Sequence, residues 1–143
     1  MKRVILMMIA CCLFAAKGYS QTPVENPNAP EITFEETEHD FGKVLKNGVA
    51  EVEFKFTNTG KEPLVIQNCS ASCGCTAPTC PTEKPIKPGE KGLVKVRYNN
   101  TSIVGTFSKY ATVTTNAKNS VVRLTIKGEI VENKDKEETT YTK

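Results

Sequence analysis

Hydrophobic and polar positions alternate with a period of two in three well-separated stretches. In Ala50–Thr57, Val52, Phe54 and Phe56 fall on one face and Glu51, Glu53 and Lys55 on the other. Val94, Val96 and Tyr98 oppose Lys95 and Arg97 in the same way, and Val122, Leu124 and Ile126 oppose Arg123, Thr125 and Lys127. Each pattern predicts a strand with one buried and one wet face. Weaker versions cover 32–36, 40–44, 64–68 and 109–115. Turn chemistry separates them at Lys46-Asn47-Gly48, Asn58-Thr59-Gly60, Lys87-Pro88-Gly89, Asn99-Asn100 and Asn116 to Asn119. No stretch carries a helical period. About seven short strands at this spacing predict an all-β chain, two antiparallel sheets packed face to face.

The ends break the pattern. Lys2 and Arg3 precede an apolar run from Val4 to Ala16, and Gly18-Tyr19-Ser20 puts small residues before a possible cut at Gln21. This arrangement predicts a signal peptide over 1–20. The apolar run is shorter than the roughly 20 residues a bilayer span requires, so no membrane span is expected after cleavage. Cys11 and Cys12 sit within that run as apolar filler, with a lipid-anchored protein as the minor alternative. Residues 21–30, with three prolines, read as an extended leader, and 132–143 as a disordered charged tail. The domain is then expected over 31–131.

Charge changes the picture once the signal is set aside. The chain carries 19 basic and 16 acidic residues, and Lys2, Arg3 and Lys17 account for the whole excess. What remains is formally neutral, which removes the case for nucleic-acid binding. An exported protein in the periplasm or at the cell surface is expected, and such an address permits disulfides.

Four motifs stand in order along the expected strands: His39-Asp40-Phe41-Gly42-Lys43-Val44; Phe54 to Ile66 with Asn58-Thr59-Gly60 and Pro63; Ser72-Cys73-Gly74-Cys75-Thr76; and Ile86-Lys87-Pro88-Gly89-Glu90. Together they resemble the bacterial domain-of-unknown-function family 1573, abundant in secreted Bacteroidota proteins and similar to immunoglobulin-like domains of the Hydin and major-sperm-protein type. The resemblance covers about Ile32 to Val131 and implies an immunoglobulin-like antiparallel β-sandwich with no established reaction. One departure is that Thr79 or Cys80 stands where the family commonly has an aromatic residue. Cys69 and Cys80 also lie outside the Cys-Gly-Cys-Thr core, so they read as a local addition.

The stretch Cys69 to Cys80 holds four of the six cysteines and the only unusual chemistry in the chain. It reads as a turn-rich loop at one end of the sandwich. Cys69, Cys73, Cys75 and Cys80 are disulfide candidates. Pairing Cys73 with Cys75 closes a very small ring, so Cys69–Cys80 plus Cys73–Cys75 is the least comfortable arrangement. Cys69–Cys75 with Cys73–Cys80, and Cys69–Cys73 with Cys75–Cys80, stay open and spacing does not choose between them.

Two sharper readings compete with structural staples. A Cys73-Gly74-Cys75 disulfide could exchange with thiols, although no helix is predicted to begin there, and Lys61 and Lys84 are remote along the chain. The four thiolates could instead hold a soft metal ion, against which stand the missing second ligand pair and the oxidising address. His39, the sole histidine, reads as a partly exposed structural residue. Ser70, Ser72 and Asp40 lack partners for catalysis at any known spacing. The reading is therefore a non-catalytic protein-binding or structural module, with no cofactor and another envelope protein as partner. Thiol-redox chemistry is the only enzymatic alternative.

Overall fold

The structure, a computed structural model, describes residues 26–133. Eight strands follow in order: β1 (Ile32–Phe34), β2 (Glu38–Leu45), β3 (Ala50–Asn58), β4 (Ile66–Ala71), β5 (Thr76–Thr79), β6 (Lys91–Tyr98), β7 (Gly105–Thr115) and β8 (Val121–Val131). They form two four-stranded sheets, β1-β3-β6-β5 and β2-β8-β7-β4. Among the described residues there is no helix, as the absence of a helical period predicts. The signal peptide and most of the charged tail lie outside the described residues. The final part of the expected leader is within them and is tied to the domain. Lys118 donates from its backbone N to Pro30 O and from Nζ to Pro27 O.

The three alternating stretches bury the faces expected of them. Phe54 and Phe56 of β3, Val94, Val96 and Tyr98 of β6, and Leu124 and Ile126 of β8 all point into the space between the sheets. Phe107, Ala111 and Val113 of β7 complete the opposite wall, and the Tyr98 and Phe107 rings stack with centroids 4.1 Å apart. The wet faces carry charge pairs. Lys95 lies 3.4 Å from Glu53 and 3.5 Å from Glu51, and its pKa is raised by its hydrogen bond to Glu53 and then by the charge of Glu51. Lys127 is raised likewise, by hydrogen bonding to Glu38 first.

Two features depart from the sequence expectation. Thr76–Thr79 is an eighth strand, although Pro78 argues against one; β5 is an edge strand, where a missing N–H costs no ladder bond. The sheets are not wholly antiparallel, because β2 runs parallel to β8 and carries a bulge between Asp40 and Lys43. Gly42, at φ +61°, donates its N–H to Asp40 Oδ1 at 2.8 Å within that bulge.

Asn58-Thr59-Gly60 separates strands, as its turn chemistry predicts, and is made of residues that tolerate positive φ. Neither Asn58 nor Gly60 adopts it. Asn58 is fully buried and works through its side chain, donating to Glu62 O at 2.8 Å and Ile86 O at 2.9 Å and accepting from Gly60 N at 3.0 Å. Gly60 is required because the backbone of Pro30 and Glu31 occupies the space a Cβ would need.

Candidate functional site: a cystine-closed edge of the sandwich

The cysteine stretch is not one loop at an end of the sandwich. Cys69 lies within β4, paired in register with Val113, and Cys80 immediately follows β5. Since β4 is an edge of one sheet and β5 an edge of the other, the chain here crosses between sheets along the open side. The crossing occupies Ser72 to Cys75. Ser72 N donates to Tyr110 O at 2.9 Å, Tyr110 N returns a bond to Ser72 Oγ at 3.2 Å, and Thr76 N donates to Cys73 O at 3.3 Å to close the turn. On the far side Asn99 N donates to Cys75 O at 2.8 Å. Both sheets thus hold the turn.

The disulfides are Cys69–Cys80, with Cα atoms 6.4 Å apart, and Cys73–Cys75, at 5.2 Å. This is the pairing that ring size disfavours. The reason it prevails is tertiary: Cys69 and Cys80 face each other from opposite sheets, both packed against the core, while the turn carries Cys73 and Cys75 away together. Sequence spacing contains no information about which sheet each cysteine joins.

The two cystines differ in setting. Cys75 is half-buried and packs on the core, whereas Cys73 is half-buried but outside that cluster. The hydroxyl of Thr76, a buried residue, lies 3.6 Å from Cys73 Sγ and 4.0 Å from Cys75 Sγ. Gly74 is exposed, and a Cβ there would meet nothing within 4 Å.

With the sulfurs of Cys69, Cys73, Cys75 and Cys80 all in disulfides, this cluster offers a soft ion no thiolate while oxidised. The remaining candidates are placed apart from this edge or are engaged structurally. His39 stands over the edge of the Phe41 ring, centroids 4.8 Å apart, with Nδ1 3.5 Å from Glu36. Asp40 holds the β2 bulge, Ser70 pairs in register with Thr112, and Ser72 bonds Tyr110.

The sequence matches the family described as "Protein of unknown function (DUF1573)" over residues 32–130. The chain belongs to that family. No curated protein matches this family member in sequence. Among solved structures, a protein of unknown function from Porphyromonas gingivalis W83 is similar with a TM-score of 0.64 and 16% identity, over 76% of this chain and 51% of that one. This chain therefore spans about half the length of that relative. The ASH/PapD-like domain 7 of human CEP192 is similar with a TM-score of 0.61 and 10% identity, over 82% of this chain and 97% of that one. The VesB protease of Vibrio cholerae matches with a TM-score of 0.54 and 13% identity, over 70% of this chain and 31% of that one. At these identities the likeness concerns the fold alone, and the fold is the immunoglobulin-like β-sandwich that the resemblance implied.

Proposed function

We propose that this DUF1573 protein is an exported module of the cell envelope that binds or braces another envelope protein. The observation that carries the reading is the Cys69–Cys80 bond joining the edges of the two sheets, since a cross-sheet disulfide persists only where thiols are oxidised. Such a staple suits a small domain that must hold its shape without cytosolic maintenance. The partner-facing region is the end where the β2–β3 turn meets the β6–β7 loop through Asn47 N donating to Thr101 O. There Val49 and Ile103 stand 73% and 64% exposed. A partner presenting apolar surface would cover them.

The test is fractionation of the cells that make the protein, with alkylation under non-reducing conditions. The expected result is an envelope fraction, no labelled thiols at residues 69 and 80, and migration in a complex larger than the monomer. Ile103→Asp should abolish that complex without lowering Tm. Cytosolic protein with free thiols, or a monomer in the envelope extract, would refute the proposal.

A further inference from the structure

Beyond the module reading, we infer that the two cystines have separate tasks: Cys69–Cys80 is the scaffold, and Cys73–Cys75 is a thiol–disulfide exchange site for cysteine thiols of a second protein. The geometry separates them. Cys69–Cys80 spans the two sheets, so it still ties β4 to β5 when the other bond opens. Cys73–Cys75 lies wholly in the turn between those strands, and its opening breaks no ladder pairing. A ring closed through one residue constrains the unfolded chain little, so its loss costs the fold less than loss of the longer loop. Steric access favours the same bond, because the exposed Gly74 leaves the turn open on its outer side.

The two sulfurs are also unequal. Cys73, outside the packed cluster, is the one an incoming thiolate can reach, and Cys75, against the core, is the one displaced. The substrate thiolate attacks Cys73 Sγ, forming a substrate–Cys73 bond as the Cys73–Cys75 bond breaks and its electron pair leaves on Cys75 Sγ, which takes up a proton. A second substrate thiolate then attacks the substrate sulfur of the mixed disulfide. The Cys73 thiolate departs, accepts a hydrogen bond from the Thr76 hydroxyl and is protonated. The substrate ends as a disulfide, two electrons poorer, and Cys73 and Cys75 as thiols. Run backwards, the reduced site accepts a substrate disulfide with Cys73 as nucleophile and Thr76 as the donor that favours its thiolate.

The experiment equilibrates the purified oxidised protein in glutathione buffers of graded ratio, quenches with acid, alkylates and maps the labels by mass spectrometry. Labels should appear on Cys73 and Cys75 at ratios where Cys69–Cys80 is intact and the far-ultraviolet circular dichroism is unchanged. In Cys75→Ala, oxidised glutathione should cap Cys73, releasing one reduced glutathione, about tenfold faster than it caps Cys75 in Cys73→Ala. Thr76→Val should slow capping of Cys73 in the Cys75→Ala background, and Thr76→Ser should restore it. At equal thiol concentration a reduced peptide with two cysteines should open the bond faster than glutathione does. Opening of both cystines together, opening of Cys69–Cys80 first, or persistence of Cys73–Cys75 in fully reduced glutathione would each overturn the inference. Faster opening by glutathione than by the peptide would overturn the assignment to protein thiols.

Discussion

Replacing Cys69 and Cys80 together by alanine removes the disulfide that joins the edges of the two sheets and should cost more stability than any comparable change at Cys73 and Cys75. The bond closes a loop with a sequence separation of 11. The loop-closure relation assigns it about 2.8 kcal/mol at 25 °C, with the native-state penalty of two missing core-packed sulfurs adding to it. For a domain of about 100 residues this lowers Tm by roughly 10–20 °C. Cys73–Cys75, with a sequence separation of 2, is worth about 1.5 kcal/mol at most on the same relation. Thermal unfolding followed by circular dichroism, on oxidised wild type and both double variants, measures the two losses. Strong reductant should bring the wild type at least as low as the Cys69→Ala, Cys80→Ala variant. A shift of less than about 3 °C for that variant, or a larger shift for the Cys73 and Cys75 pair, would refute the claim that the cross-sheet bond is the staple.

Further changes test the rest of the framework. Asn58→Ala deletes three hydrogen bonds around a buried turn and should cost about 3 kcal/mol by denaturant titration; a loss under about 1 kcal/mol would mean the turn re-forms without it. In Asn58→Asp the carboxylate would face the same two carbonyls, so its folded-state pKa is raised and the variant should recover stability as pH falls. Gly92→Ala puts a methyl group into the Phe56 ring that crosses it, costing roughly 1–3 kcal/mol, and Phe56→Leu in the same chain should relieve part of that cost. Lys95 has a raised folded-state pKa, so its contribution is fully present below pH 10.5 and is lost as pH climbs through the higher folded value. The Tm difference between wild type and Lys95→Met should therefore shrink on that climb, and also in high salt, because the group is exposed.

The faces of the strands were legible in the sequence because burial in a sheet is a local, period-two property. Val52, Phe54 and Phe56 could not all be core unless Glu51, Glu53 and Lys55 were outside, wherever the strand sat. The same logic placed the inner residues of β6 and β8. It failed at β5, where Pro78 hides a four-residue strand that exists only because β6 presents an edge to it.

Pairing partners carry no comparable local signal. That β2 lies parallel to β8, that Gly60 must give way to Pro30, and that Asn58 serves three backbone groups all depend on segments distant in the chain. The cysteines show the division most clearly. Sequence alone determined that Cys69, Cys73, Cys75 and Cys80 belong together. Only the tertiary structure decided the partners, because the chain changes sheets between Ser72 and Cys75. That crossing leaves Cys69 and Cys80 facing each other from opposite edges and confines the inner pair to a single turn.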